Sequence, residues 1–122
     1  MIQSVRSTRF PCLPVHVRLG NLQYPGFEFD LDALVDTGFD GGLTVPQGLI
    51  PATVPLLGDL TCNLADGSSM TAFSYLGFVS VGSLQAVPAI VLTLSHQTLL
   101  GRAVTNRFRL SFLYGRQVLL EA

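Results

Sequence analysis

Apolar and polar residues alternate with a period of two, and this feature most limits how the chain can fold. Residues 13–19 place every second side chain on one apolar face, formed by Leu13, Val15, Val17 and Leu19. Residues 27–35 repeat the pattern, with an apolar face opposite Glu28, Asp30 and Asp32. Successive side chains of a strand point to opposite faces, so the pattern is typical of half-buried β-strands. The sequence therefore predicts an all-β fold.

Further short strands, separated by turn signals, extend this pattern along the chain. We expect them over residues 43–45, 60–64, 70–81, 84–94, 108–112 and 117–121. Asp66-Gly67 is a strong hairpin signal, and Tyr114-Gly115 should form the turn that leads to the last strand. Pro88 should bend its strand or lie at a sheet edge. A helical turn over residues 46–50 and a short helix over 102–107 complete the expected elements.

The composition points to one self-associating domain. The 122 residues suffice for one domain with a core and are too few for two ordinary ones. Hydrophobic residues make up 48% and charged residues 12% of the chain, whereas typical domains carry about 25% charged residues. So little charged surface favours an interface between copies. The net charge of -1 and the scattered arginines predict no nucleic-acid partner.

Residues 67–101 contain no charged side chain and are long enough to span a bilayer. Glycines, Pro88 and β-branched residues interrupt this segment, so two buried strands fit better than one spanning helix. We therefore expect no membrane partner, with membrane association as the alternative.

Residues 1–10 carry no apolar run, which predicts no signal peptide. Cys12 and Cys62 match no zinc spacing, so free thiols in a reducing cytoplasm are expected, with one disulfide as the open alternative.

Asp36-Thr37-Gly38 follows the apolar residues 33–35 and meets the requirements of an aspartic-protease half-site. The apolar strand buries the surroundings of the carboxylate, the Thr37 hydroxyl can bond to a partner loop, and Gly38 permits a sharp turn close to a substrate. Two-carboxylate chemistry needs a second Asp, which a two-fold homodimer supplies as its own copy. The alternative is an Asp that caps a turn after a strand.

Three features in a fixed order make the chain resemble the retropepsin-like aspartic proteases. Residues 33–46 (ALVDTGFDGGLTVP) resemble the active-site segment, most closely in a prokaryotic subgroup with Phe after Asp-Thr-Gly. Residues 99–102 (LLGR) and 106–112 (NRFRLSF) resemble the second signature, and Asp66-Gly67 falls where the family has its flap. The resemblance covers residues 15–120. It implies a closed or partly closed β-barrel with one short C-terminal helix, acting as a homodimer on peptide or protein substrates without metal or other cofactor.

The resemblance also implies a role for each matching residue. Asp36 would activate water, and Thr37 would bond across the dimer axis. The carbonyl of Gly38 would accept a hydrogen bond from the substrate backbone. Asp40 would contact substrate backbone and pair with Arg102, whose guanidinium can bind a carboxylate bidentately. Two separate surface charges are the alternative for this pair.

The chain departs from the family pattern at two places. Phe39 stands where many relatives have a small residue, and its ring either narrows the pocket beside the carboxylate or turns into the core. The loop of Asp66, Gly67 and Ser68 is more polar than a glycine-rich viral flap and is expected to close differently. By resemblance, residues 1–10 and the C-terminal strand would form a sheet between subunits.

The main functional alternative is a non-catalytic peptide-binding or dimerisation module, since fold does not determine function. Phe39 favours this alternative, and the intact Asp-Thr-Gly argues against it. His16 and His96 lack a second ligand at useful spacing, so no metal or acid–base role is expected of them. Six phenylalanines are expected in the core rather than on a binding surface: Phe27, Phe29, Phe73, Phe78, Phe108 and Phe112.

Overall fold

The computed structural model describes residues 3–20, 26–63, 66–95 and 97–122. His96 lies outside these residues. The described strands are β1 (Ser4–Arg6), β2 (Cys12–Leu19), β3 (Phe27–Val35), β4 (Leu43–Pro46), β5 (Gly58–Asn63), β6 (Ser69–Val81), β7 (Val87–Ser95), β8 (Leu99–Leu100), β9 (Arg109–Leu113) and β10 (Gln117–Glu121), and the helix α1 spans Arg102–Thr105. The predicted all-β class is therefore confirmed. Within the described ranges, no helix has the length and apolar character needed to cross a membrane.

Seven strands form a sheet that closes on itself. Their order is β2-β3-β8-β4-β7-β6-β5, and an additional pairing between β2 and β6 completes a ring. Closure depends on the 13-residue strand β6. Strand β7 lines one of its edges, and the other edge is shared between β5, at residues 69–74, and β2, at residues 77–81. This arrangement agrees with the closed or partly closed barrel expected from the sequence.

The interior of the ring is built by the alternating strands. The four apolar side chains of β2 that share a face are at most 2% exposed. Full burial of one such side chain is worth about 1.5–3 kcal/mol relative to exposure. On β3, Phe29 is partly buried against the core, and Ala33 and Val35 are buried, whereas the acidic residues face solvent. Strand β3 thus becomes more enclosed as it approaches Asp36.

A second, three-stranded sheet has the order β1-β10-β9. Tyr114 and Gly115 join β9 to β10 with φ values of 56° and 63°, as the predicted tight turn requires. The N-terminal strand β1 pairs with β10 of the same chain, Ser4 opposite Glu121. The sheet expected between subunits is therefore formed within one chain.

The predicted helices are shorter than expected or absent. Residues 46–50 form a turn, in which the Leu49 amide donates to the Pro46 carbonyl at 3.4 Å. Gly48 then takes a φ of 86°, a left-handed conformation that does not continue a helix. Helix α1 ends at residue 105 rather than 107, with Asn106 as its C-cap.

Strand β7 begins at Val87 rather than at residue 84. A turn precedes it, because Gly82 has a φ of 52° and the Leu84 amide donates to the Val81 carbonyl at 3.0 Å. Pro88 lies opposite Phe78 of β6, outside the segment 91–95 that pairs with β4. The proline thus occupies a position with a neighbour on one edge only, as predicted.

The prediction that six phenylalanines are buried is wrong for three of them. Phe27, Phe29 and Phe108 are partly buried against the core. Phe73, Phe78 and Phe112 are 40%, 42% and 47% exposed. The cross-strand pair of Leu76 and Ile90 is also exposed, so β6 and β7 carry apolar residues on both faces. Alternation cannot show which face is inside when both faces are apolar.

Candidate active site

Strand β3 ends at Val35, so the backbone at Asp36 lies between two neighbouring segments. On one side, the Asp36 amide donates to the Leu100 carbonyl at 3.0 Å, continuing the parallel pairing of β3 with β8. On the other side, the Val35 amide donates to the Pro11 carbonyl at 3.1 Å. The backbone on which the carboxylate stands is therefore held from both sides.

A tight turn follows Asp36 and uses one oxygen of its carboxylate. The Gly38 amide donates to Asp36 Oδ1 at 2.9 Å, and the Phe39 amide donates to the Asp36 carbonyl at 3.2 Å. Asp36 thus caps a turn, which is the role that the alternative interpretation of an Asp after a strand predicts. The other carboxylate oxygen has no hydrogen-bond partner within the described residues. Asp36 is half-buried, and Thr37 and Gly38 are exposed beside it. One oxygen thus orients the carboxylate, and the second stays available.

The two sequence signatures meet through their backbones. The amides of Gly101, Arg102 and Ala103 donate to the carbonyls of Gly42, Phe39 and Gly41 at 2.8, 2.8 and 3.1 Å, respectively. These three bonds tie the loop after Asp36 to the start of α1. The predicted proximity of the two signatures is therefore present in the structure.

Phe39 packs across the two loops instead of entering the core. A Cβ atom placed on Gly41 would come within 2.7 Å of Phe39 Cε1, and one on Gly101 within 2.6 Å of Phe39 Cδ2. Real Cβ atoms do not approach other carbons so closely, so both positions accept only glycine while the ring keeps its place. Phe39 is thus a structural wedge between the signatures.

The predicted ion pair between Asp40 and Arg102 is absent. Both side chains are described and exposed, and the ion pairs of the described residues all involve His16. Exposed side chains gain little from pairing in water, because the entropy of ordering them offsets the attraction. The backbone bonds of Arg102 perform the linking role that sequence reasoning assigned to its side chain.

Thr44, which sequence reasoning missed, supports the same region from the inside. It is fully buried on β4. Its hydroxyl donates to the Gln97 carbonyl at 3.2 Å and accepts from the Leu99 amide at 3.0 Å. A polar residue between Leu43 and Val45 was the available signal, because a buried hydroxyl needs partners.

Phe10 was missed as well. Its ring packs edge-to-face on Phe112, with centroids 6.4 Å apart and an interplanar angle of 81°. Both rings are partly exposed. The neighbouring Pro11 is bonded to Val35, so this aromatic pair is connected to the strand that carries Asp36. No local sequence pattern indicates a contact between residues so far apart.

The hairpin of β5 and β6 forms as predicted, with Asp66, Gly67 and Ser68 between the strands. Asp66 Oδ1 accepts hydrogen bonds from the Ser68 amide, at 2.9 Å, and from its hydroxyl. These two bonds, the hydroxyl first, lower the pKa of the Asp66 carboxyl. Gly67 takes a left-handed φ of 86°. The described residues show no hydrogen bond between this turn and the loop that follows Asp36.

Comparison of the chain with protein-family models, with curated proteins and with solved structures found no match. Within the described residues, no group of three or more His, Cys, Asp and Glu side chains is placed to hold a metal ion. The chemistry that this geometry offers is that of one oriented, half-buried carboxylate, next to a hydroxyl and an exposed glycine.

Proposed function

We propose that the chain is one half of a homodimeric, retropepsin-like aspartic endopeptidase in which Asp36 is the catalytic carboxylate. The observation that carries the proposal is the way in which the backbone and the carboxylate of Asp36 are held. Its backbone is held on both sides, one carboxylate oxygen is oriented by Gly38, and the other oxygen has no partner among the described residues. A carboxylate held in this way keeps a fixed position and has one oxygen free to bind a water molecule.

The proposed reaction needs two such carboxylates close together. Like charges at short distance cannot both ionise comfortably, so the pair holds one proton between them. The ionised carboxylate takes a proton from a bound water, whose oxygen attacks the peptide carbonyl carbon. The protonated carboxyl donates its proton to the carbonyl oxygen, and collapse of the tetrahedral intermediate, with proton transfer to the amide nitrogen, releases the two products.

The partner carboxylate is proposed to be Asp36 of a second copy. Within the described residues, Asp36 makes no hydrogen bond to another acidic side chain. A two-fold axis beside the loop brings each residue there next to its own copy. The Thr37 hydroxyl, which has no partner in the described part of the chain, would then bond to the partner loop, and Gly38 and Asp40 would face substrate backbone. The hairpin carrying Asp66, Gly67 and Ser68 would act as the flap.

Cleavage of a mixed peptide library, read by mass spectrometry from acid to neutral pH, tests the proposal. The wild-type protein should cut, and Asp36→Asn should not. Asp32→Asn is the matched control, because Asp32 is an exposed acid on the same strand and the change removes the same charge. Cuts that persist in Asp36→Asn would show that Asp36 is not the catalytic residue.

Mixing the two forms tests the shared site. If one Asp36 from each subunit is required, an equimolar amount of Asp36→Asn should reduce the activity per wild-type subunit to about half after exchange, because random pairing places half of the wild-type chains in inactive dimers. Activity per wild-type subunit that does not change on mixing, in a preparation shown to exchange subunits, would place a complete site within one chain.

A non-catalytic peptide-binding or dimerisation module is the second candidate. The bond from Gly38 to Asp36 Oδ1 favours it, because this bond gives Asp36 a purely structural use. Under this alternative, wild type and Asp36→Asn bind the same peptides and neither cuts them.

The proposed compartment is the cytoplasm. The buried free thiol of Cys12 supports a reducing environment.

A further inference from the structure

A pocket of about 410 Å³ opens at the base of the β5–β6 hairpin. Its walls come from the connection between β4 and β5 and from β6 and β7. The lining residues are Gln47, Gly48, Ile50, Ala52, Val54, Leu56, Phe73, Tyr75 and Thr93. None of them belongs to the candidate active site. The volume lies within the range of pockets that hold small ligands.

Tyr75 places an unused hydroxyl at this pocket. The residue is 6% exposed, yet its hydroxyl has no hydrogen-bond partner among the described residues. Every fully enclosed side-chain nitrogen or oxygen in the described residues has a partner. The Tyr75 hydroxyl is therefore not enclosed, and Tyr75 is one of the residues that line the pocket. Buried phenols usually find a partner, so this one is available to a ligand.

The remaining lining determines what the pocket can hold. It contains no charged side chain. The Thr93 hydroxyl is already engaged, since it accepts from the Phe73 amide at 3.2 Å. Ile50 and Val54 are buried, and Leu56 and Phe73 present exposed apolar surface. A charged ligand would therefore find no group of opposite charge in the lining.

We propose that this pocket is a second binding site, which takes a small neutral molecule with an apolar body and one polar atom that hydrogen-bonds to the Tyr75 hydroxyl. Burial raises the pKa of Tyr75, so the phenol stays neutral at physiological pH. The site does not depend on Asp36 being catalytic.

Occupancy of the pocket restrains the hairpin. Phe73 and Tyr75 belong to β6, and the hairpin base is held there by the Leu57 amide, which donates to the Ser74 carbonyl at 2.8 Å. A ligand in the pocket contacts this strand and the connection before β5 together, and it binds only while the two are paired as observed. It therefore stabilises that arrangement.

Indole is the probe, because it is neutral, mainly apolar and has one N–H donor. Titration of isotope-labelled protein, followed by NMR, should give saturable shifts of the Phe73, Tyr75 and Thr93 amides. Tyr75→Phe should weaken indole binding about three- to tenfold, as expected for the loss of one hydrogen bond. It should leave the binding of 1-methylindole, which lacks the donor, unchanged. Amide exchange in residues 58–63 and 69–74 should slow when indole is bound.

Ala52→Trp should abolish indole binding by filling the pocket. Ala86→Trp is the control, because Ala86 is also exposed but lies on another part of the surface, and it should bind indole normally. Indole binding that survives Ala52→Trp, or shifts that do not saturate, would overturn the proposal. Because the readout is binding, a protein without peptidase activity tests it equally well.

Discussion

The amide of Arg102 donates a 2.8 Å hydrogen bond to the carbonyl of Phe39. This bond joins the start of helix α1 to the loop that follows Asp36. Its neighbours, from Gly101 to Gly42 and from Ala103 to Gly41, make the connection a short ladder. The position of Asp36 therefore depends on main-chain bonds and on glycines that allow them, and less on the charges of Asp40 and Arg102.

Gly101→Ala should destabilise the protein by about 1–3 kcal/mol, because the added methyl group overlaps the Phe39 ring and the Gly41 carbonyl. Urea unfolding measures the change. Gly58→Ala is the control, since its nearest atom, Ser74 Oγ, would lie 3.8 Å away, and it should change stability by less than about 0.5 kcal/mol. Equal effects of the two substitutions would contradict a tight contact at Gly101.

Thr44→Val should cost about 1–3 kcal/mol, because it keeps the shape of the side chain and removes the buried hydrogen bonds from the Leu99 amide and to the Gln97 carbonyl. Thr71→Val, at an exposed position of β6, should be nearly neutral. If the two variants unfold at the same urea concentration, the Thr44 hydroxyl has no structural role.

Stability should depend on pH through His16. Hydrogen bonds to Asp30, at 2.9 Å, and Glu28, at 3.3 Å, raise the pKa of His16 above 6.5. The stabilisation is therefore complete below the unfolded-state pKa and is lost as the pH rises through the raised folded-state pKa. The free-energy difference between wild type and His16→Gln should therefore be largest at mildly acid pH and shrink as the pH rises above the unfolded-state pKa of about 6.5.

Two variants control this measurement. Asp30→Asn should weaken the pH dependence, since it removes the larger cause of the shift. Asp32→Asn should preserve it. The groups are largely exposed, so the effect is expected to be small and to decrease with added salt. A difference that grows with pH would mean that neutral His16 is the favoured form.

If Asp36 and its copy form the proposed pair of carboxylates, the rate of peptide cleavage should pass through a maximum at acid to mildly acidic pH. Two carboxylates that share one proton lose activity when both are protonated and again when both are ionised, which gives an acid and a basic limb. The profile of kcat/KM against pH measures both limbs. A rate that keeps rising above about pH 8 without an acid limb would rule out a shared proton.

Much of the local structure followed from short-range patterns. The alternation in residues 13–19 and 27–35 predicted β2 and β3 and their inner faces. Asp66-Gly67 and Tyr114-Gly115 predicted turns, and both glycines take the left-handed φ that such turns use. Asp36 was expected at the end of an enclosed strand, and it lies there.

Contacts between residues far apart in the sequence were harder to predict from the sequence. The exposed face of β6 and β7 was assigned to the core, because Phe78 is as apolar as the buried Val79 beside it. The pairing of β1 with β10 within one chain, the wedge formed by Phe39 and the contact of Phe10 with Phe112 have no local signal. The ion pair between Asp40 and Arg102 was expected from the resemblance and from the fit of a guanidinium to a carboxylate, and it is absent from the described residues.

The sequence by itself determined the strand periodicity, the turns and the placement of one Asp-Thr-Gly at a strand end, because these depend on backbone preferences and on side-chain alternation over a few residues. Only the tertiary structure decided which faces meet, how the ring closes through β2 and β6, and how the two signatures are tied together. Those outcomes depend on the burial and hydrogen bonding summed over segments far apart in the chain, which compete with the entropy of ordering them.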